Sequence, residues 1–397
     1  MRIALIADAY PPLRTSGAVQ VRDLAQELAS QGHEVTVLVP CAARGAPWAI
    51  HQVGRVQVLS IGALTTKDVG YVRRTIAEAL LPFRMLRGLR SSPLGSVQWQ
   101  AAIWYSPSIF LGLLVGALKR TSRCRSYLIL RDIFPEWAVD MGLLRRGFAY
   151  RFFKLVERYQ YSVADVIGVQ SPSNLGYLAD WAKGPGRRLE VLHNWLAPAA
   201  DAGCSISVGK TSLACRTILV YAGNMGVAQG MDILLDLADG MKNRRDVGFL
   251  FVGRGSDVPR LRALAESRAL DNVIFCDEIE PAEIPGLLRQ CHIGLVALDP
   301  RHRTHNVPGK FLAYMQAGLP VLARVNAGND LIALIESEQV GCAYVGDSPG
   351  SLELLARRLC DDADLRRAMS SNAARLATSA FSVSAVARQI TEAMSES

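Results

Sequence analysis

The sequence predicts an α/β protein built as two doubly wound parallel-sheet domains. Three observations predict it. The 397-residue chain is too long for one ordinary core. Short apolar runs alternate with amphipathic helical patterns, as in a parallel sheet covered on both faces. That alternation breaks once, at a stretch rich in Ala, Gly, Ser and Pro.

In the first half the apolar runs are Ile3–Ala7, Val35–Val39, Val56–Ile61, Ala101–Tyr105, Tyr127–Leu130, Val166–Val169 and Glu190–His193. In the second they are Thr217–Tyr221, Gly248–Val252, Val273–Cys276, Ile293–Ala297, Val321–Ala323 and Cys342–Val345. Ala197–Ser212 separates them and reads as a linker. The division is therefore a first domain over 1–197, a linker over 198–214, a second domain over 215–380 and a terminal helix over 381–397. That helix either caps the second core or returns to the first domain.

Each half opens alike, with a strand, a glycine turn and a helix. Ile3–Ala7 leads to Gly17 and a helix over Ala18–Ser30; Ile218–Ala222 leads to Gly223, Gly226, Gly230 and a helix over Met231–Met241. Helix N-termini present free N–H groups and a positive dipole end. In such sheets ligands bind beyond the carboxyl ends of the strands, so a central cleft faced by both domains is the expected site.

The charge is uneven. Residues 1–200 hold 24 Lys and Arg against 13 Asp and Glu; the remainder holds 20 against 23. The basic excess of the first half suits an anionic partner. No helix-turn-helix, finger or aromatic RNA-binding signature accompanies it, which excludes a nucleic-acid binder. Val72–Arg90 is a basic amphipathic pattern with Val72, Ile76, Ala79, Leu80 and Phe83 on one side. Arg73, Arg84 and Arg87 cluster at helical spacing, and Pro82 should kink or split the helix. Lys119, Arg120, Arg123 and Arg125 form a second basic stretch. Both suit an anionic membrane surface, or simply a solvated face.

The eight cysteines contain no C-x-x-C pair and read as buried reduced thiols. The start of the chain lacks a signal-peptide pattern, and the most apolar later stretch, Ile109–Leu118, is too short to span a bilayer. A cytoplasmic protein is expected.

The turn Gly223–Gly230 lets backbone approach an anion at a helix N-terminus, though it could be a plain strand–helix turn. Gly253-Arg254-Gly255 repeats the arrangement, and Arg254 could take a phosphate or be solvated. Residues 300–329 contain no carboxylate but hold Arg301, His302, Arg303, His305, Lys310 and Arg324. Pro308-Gly309-Lys310 opens a helix, Phe311–Ala317, stopped by Gly318 and Pro320. A lysine in a first turn opposes the helix dipole unless an anion sits there. The carboxylate run Asp361-Asp362-Ala363-Asp364 sits between late helices and reads as capping or surface, not as a D-x-D seat for a divalent ion, so metal-independent stabilisation of a diphosphate is expected, with no cofactor.

In the first half, Asp132 and Glu136 follow the strand Tyr127–Leu130. Asp132 is the better carboxylate for ligand hydroxyls or proton handling, unless it caps the next helix; Glu136 is the second. Asn194 follows the last strand and either contacts a ligand or packs the hinge. Gly17 lets the first loop approach a ligand or serves a plain turn, and Arg14 lies in the same loop.

These residues resemble glycosyltransferase family 4, whose GT-B fold has two Rossmann-like domains. The resemblance rests on Arg2–Ile6 with Tyr10-Pro11-Pro12 and Gly17, Gln31–Val37, Tyr221–Asn224, Phe251–Gly255 and Ala317–Val321. Arg131–Trp137 and Val307–Phe311 are similar to bacterial O-antigen and capsule N-acetyl-L-fucosamine transferases. The resemblance implies retaining, front-face transfer from a UDP-sugar, in which the departing phosphate oxygen helps accept the acceptor proton. It also implies an undecaprenyl-diphosphate-linked acceptor at the inner face of the cytoplasmic membrane. Family members carry two glutamates before the Ala-Gly-x-Pro turn; here those positions are His305 and Ala313. Asn224 and Gln229 replace the usual Arg and Lys of the glycine turn. Gln316, Asn329 or Asp330 could substitute for the missing glutamates. The expected donor contacts are thus Gly17, Asn194, Gly223, Asn224, Gly226, Arg254, Lys310, Gln316 and Asp330. A binding-only paralogue and a nucleotide-sugar 2-epimerase remain alternatives.

Overall fold

The structure is a computed structural model. It describes residues 1–13, 15–42, 46–64, 70–140, 142–198, 202–226, 229–299 and 307–395. Two compact units divide the chain: Met1–Trp195 with Val383–Ser397, and Leu196–Ser382.

The first domain holds strands β1 (Arg2–Ile6), β2 (Glu34–Ala42), β3 (Trp48–Val53), β4 (Val56–Ala63), β5 (Ala101–Tyr105), β6 (Arg125–Leu130), β7 (Val166–Val169) and β8 (Arg188–Val191). Its helices are α1 (Ser16–Ser30), α2 (Tyr71–Ser91), α3 (Gly112–Ser122), α4 (Glu136–Asp140), α5 (Phe148–Ser162) and α6 (Ala179–Ala182). The sheet order is β3-β4-β2-β1-β5-β6-β7-β8. Only β3 runs antiparallel to its neighbour, β4.

Strand alternation explains the two-sided core. Ile3 and Leu5 face a cluster with Val21, Leu24 and Leu28 of α1, whereas Ala4 and Ile6 face Leu81, Met85 and Leu89 of α2 and Leu114 of α3.

The second domain holds β9 (Thr217–Ala222), β10 (Val247–Val252), β11 (Val273–Cys276), β12 (Ile293–Ala297), β13 (Val321–Arg324) and β14 (Gly341–Tyr344). Its helices are α7 (Asp232–Gly240), α8 (Val258–Ser267), α9 (Ile284–Leu288), α10 (Gly309–Gln316), α11 (Asp330–Glu338), α12 (Pro349–Asp361) and α13 (Ala363–Ser379). The sheet is parallel throughout, in the order β11-β10-β9-β12-β13-β14.

The chain ends in α14 (Val383–Ser395), which belongs to the first domain and packs on α1. Val386, Ala387 and Ile390 lie in the same cluster as Leu24 and Leu28. Burying the two larger side chains contributes about 1.5–3 kcal/mol each.

Several expectations need correction. Strand β3 was not foreseen: its alternately exposed pattern makes it an edge strand with little continuous apolar signal. The expected linker at 198–214 is part of the second domain, because Val208 and Leu213 reach its core. Pro82 does not split α2, which runs unbroken over Tyr71–Ser91. Helix α2 also has a second apolar face, and that one is buried. Ala77, Leu81, Met85 and Leu89 are buried, while Ile76, Leu80 and Phe83 are exposed. All eight cysteines are free, but Cys41 and Cys215 are exposed rather than buried. Among the described residues no helix is long and apolar enough to cross a membrane.

Candidate functional site

In the second domain two glycine turns are pressed together. Gly223 and Gly253 both follow strands and both have positive φ, 141° and 144°. A Cβ on Gly253 would lie 2.1 Å from the Gly223 carbonyl oxygen, and one on Gly255 would lie 2.1 Å from that of Met225. Backbone bonds then zip the turns: Gly223 N–H donates to Val252 O at 2.9 Å and Met225 N–H to Arg254 O at 2.8 Å. The glycines at 253 and 255 therefore serve loop-on-loop packing. The Gln229 carboxamide oxygen accepts from Gly226 N–H at 2.9 Å and Asn224 Nδ2 at 3.1 Å, closing the first turn.

Lys310 lies beside this pair of turns. It is the second residue of α10, and Pro308 is the N-cap. Its Nζ stands 3.5 Å from the centroid of the Tyr221 ring. Its Cε and Nζ lie 3.5 and 3.8 Å from where a Cβ of Gly223 would be. Among the described residues no carboxylate pairs with the ammonium, and burial pushes its pKa down to about 7.

Two tyrosines that sequence reasoning missed fix this geometry. Tyr314, one turn along α10, lies with its hydroxyl against the ends of two strands. It accepts from Ala222 N–H at 3.1 Å and lies 3.2 Å from both the Val220 and Leu295 carbonyls. Gly294 makes room for its ring, since a Cβ there would be 2.4 Å away. Tyr221 donates to Asn224 O at 2.8 Å, tying the ring under Lys310 to the glycine turn. A tyrosine at the end of an apolar strand run was the available signal.

The remaining donor candidates scatter. Arg254 is 79% exposed at its side chain and meets Glu278 at 3.3 Å. Asp330 opens α11 behind the Asn329 cap, whose Oδ1 accepts from Leu331 N–H at 2.9 Å. Gln316 ends α10 and donates to Ala197 O at 2.8 Å, about 9 Å along the helix axis from Lys310. Arg324 is buried and bonds Gly346 O, Leu298 O and Asp347, which makes it a brace between strand ends rather than a surface cation. Arg14, Arg301, His302, Arg303 and His305 lie outside the described residues.

In the first domain Arg131 is the residue the sequence reading undervalued. It is 6% exposed and donates to Leu192 O at 2.6 Å and His193 O at 3.2 Å. Its guanidinium lies over the rings of Trp195 at 5.0 Å and Tyr105 at 5.9 Å. Burial lowers its pKa, countered by the neighbouring tyrosines. Arg131 thus joins the end of β6 to the end of β8 and fixes the base of the next loop.

Asp132, the next residue, keeps an exposed surface, and withdrawal from water raises its carboxyl pKa while Arg131 lowers it. It does not cap a helix, since α4 begins at Glu136. Glu136 is held elsewhere: it accepts from Lys154 Nζ at 2.6 Å and Tyr150 at 3.2 Å, so it acts as an anchor on α5. Gly17 lies inside the first turn of α1 rather than in the loop, against Tyr105, whose ring would be 3.3 Å from its Cβ.

Of seven buried side-chain oxygens without a hydrogen-bond partner among the described residues, four are Tyr10 Oη, Ser108 Oγ, Ser171 Oγ and Asn194 Oδ1. They follow β1, β5, β7 and β8 respectively, all at the carboxyl ends of the first sheet. Leaving such a group unpaired costs about 1–3 kcal/mol, so their concentration at one edge marks a surface suited to a hydroxyl-rich ligand. Arg73, Arg84 and Arg87 are exposed on α2.

The fold and these two strand-end constellations define the GT-B class of two-domain proteins. Residues 16–195 match the glycosyl transferase 4-like domain, and residues 216–362 match the glycosyl transferases group 1 domain. WbjE of Pseudomonas aeruginosa, named as a probable glycosyltransferase, is 25% identical over 59% of this chain and 59% of its own. The chain thus spans less than two thirds of that relative's length. WcaI of Escherichia coli K12, named for colanic acid biosynthesis, is 23% identical over 74% of this chain and 76% of its own. The structure of HepE from Anabaena in complex with UDP superposes with a TM-score of 0.69 over all of both chains at 15% identity, a likeness of fold. Both halves of the chain are thus matched, in order, by glycosyltransferase domain families.

Proposed function

We propose that the chain is a retaining, metal-independent glycosyltransferase. It moves N-acetyl-L-fucosamine or a related amino sugar from a UDP-sugar to an undecaprenyl-diphosphate-linked oligosaccharide in O-antigen or capsule synthesis. The observation that carries this reading is Lys310: a cation without a carboxylate partner among the described residues, held on Tyr221 beside two interlocked glycine turns. A leaving diphosphate needs its developing charge neutralised, and a lysine with helix N-termini supplies that. The HepE structure contains UDP, and WcaI is named for colanic acid biosynthesis, which supports the donor class and the pathway.

In this reading Lys310 holds the diphosphate, and the glycines of the two turns let it approach the backbone closely. Asp132 orients the acceptor hydroxyl, and Tyr10, Ser108, Ser171 and Asn194 hydrogen-bond sugar hydroxyls. The departing phosphate oxygen takes the acceptor proton. The enzyme works at the inner face of the cytoplasmic membrane, with Arg73, Arg84 and Arg87 on anionic headgroups and no cofactor. One observation favours a second reading, a binding-only paralogue: Ala313 of α10 stands where family members carry a glutamate.

The test is purified protein with lipid-linked acceptor in vesicles and labelled UDP-sugars, in EDTA. Label in the lipid fraction with retained anomeric configuration supports the transferase. Donor binding without transfer supports the binding-only paralogue, and release of an epimerised sugar supports an isomerase. Either of the last two outcomes removes the transferase reading.

A further inference from the structure

Helix α5 carries an apolar stripe that is largely exposed, although the Phe152 ring meets Phe110 at 6.3 Å and the Tyr159 hydroxyl lies against Gly116 of α3. Phe148 is 91% exposed, Phe152 47%, Leu155 68% and Tyr159 36%. At 100° per residue these four positions fall within ~60° of one another, so they form a single ridge along the helix. The opposite face, Glu157, Gln160 and Tyr161, is buried. A ridge of this size on a soluble domain marks an interaction surface.

The surroundings of the ridge identify its partner. Arg151 and Arg158 are exposed along one flank, and Arg145 and Arg146 are exposed just before the helix. The only acid of α5, Glu157, is buried and paired to Lys154 at 2.6 Å. An anionic surface complements this charge, whereas a second copy of the same ridge would set arginines against arginines. Helix α2 adds a parallel feature: Ile76, Leu80 and Phe83 are exposed beside Arg84 and Arg87. Both helices pack against α3 in one layer of the first domain.

The ridge is also tied to the loop that carries Asp132. Lys154 of α5 holds Glu136 at 2.6 Å, and the Phe153 ring meets Phe134 edge-on at 5.0 Å. A helix seated at headgroup level would therefore fix that loop at the height of a lipid-borne group.

We propose that α5 is the element that inserts into the interface of an anionic bilayer. Phe148, Phe152 and Leu155 enter the acyl boundary, and the flanking arginines sit on lipid phosphates. The proposal rests on the membrane-facing reading of the first domain and assigns its apolar contact to a helix other than α2.

The test uses the full chain and vesicles of phosphatidylcholine with or without phosphatidylglycerol. Phe148→Ser with Leu155→Ser is compared with Arg84→Glu with Arg87→Glu, each checked for an unchanged thermal transition. The α5 variant is expected to bind anionic vesicles about tenfold more weakly or worse, and the loss is expected to persist in high salt because apolar insertion is not screened. If the α5 variant binds like the parent while the α2 variant is released, the α5 assignment is overturned and the membrane reading survives. If the parent ignores both kinds of vesicle, both fall. If the α5 variant loses only concentration-dependent self-association, the ridge is a dimer contact and the proposal is wrong.

Discussion

Replacing Lys310 by Met tests whether the cation on Tyr221 is a pH-sensitive donor contact. In the free protein burial holds the Lys310 pKa at about 7. A bound diphosphate favours the ammonium, so its pKa rises on binding and a proton is taken up. The sign follows: affinity for UDP falls as pH rises through 7. Half the lysines carry a proton at pH 7, and about one in a hundred does at pH 9, so the dissociation constant rises ~50-fold over that interval. Lys310→Met should show no such slope. At pH 7 it should bind UDP ~10–150-fold more weakly, the equivalent of losing one charge-assisted hydrogen bond of about 1.5–3 kcal/mol. Titration calorimetry in buffers of different ionisation enthalpy measures both effects, with about half a proton taken up per UDP at pH 7. A flat pH profile for the parent, or the same slope in the Met variant, would refute the reasoning.

Other consequences concern stability and the loops. Because folding lowers the Lys310 pKa, the unfolded chain binds more protons above pH 7 and the folded state gains stability as pH rises toward the ordinary lysine value. Lys310→Met should therefore raise the melting temperature at pH 6 and raise it less at pH 9; a uniform gain would point to packing alone. Gly253→Ala forces a Cβ to 2.1 Å from the Gly223 carbonyl in a positive-φ position, which should cost about 2 kcal/mol or more and abolish UDP binding. Parental UDP affinity in that variant contradicts the interlocked-turn description. Tyr314→Phe leaves the Ala222 N–H without its acceptor and should lower the denaturant midpoint by about 1–3 kcal/mol, together with UDP affinity. Arg131→Met strips the Leu192 and His193 carbonyls of their donor and should destabilise the first domain by about 3 kcal/mol, seen as an early thermal transition; an unchanged transition denies it a bracing role.

Much of the fold was readable because doubly buried strands advertise themselves as apolar runs. Ile3–Ala7 and Ile218–Ala222 need no partner to be recognised, since both of their faces are covered. Trp48–Val53 escaped for the opposite reason, being an edge strand with alternate residues in water. The ridge on α2 shows a further limit. Periodicity groups Ile76, Leu80 and Phe83 on one face, yet which apolar face is buried depends on Gly88 and Met85 meeting the sheet, and Gly88 packs against Ile61.

The site divides along the same line. Lys310 stood out through local conflict, a lysine at a helix start in a window without acids. Tyr221, Tyr314 and Arg131 act over sequence separations of up to 94 residues, as the Tyr314–Val220 pair shows, and no local pattern records that. Glu136 looked like a second carboxylate for chemistry until Lys154, 18 positions away, proved to hold it.

The most direct test is amide hydrogen exchange of the whole chain with and without UDP, in EDTA. Slowed exchange confined to 223–230, 253–256 and the first turn of α10 is the result the account predicts. Protection elsewhere, or protection that appears only when Mg²⁺ is restored, would contradict it.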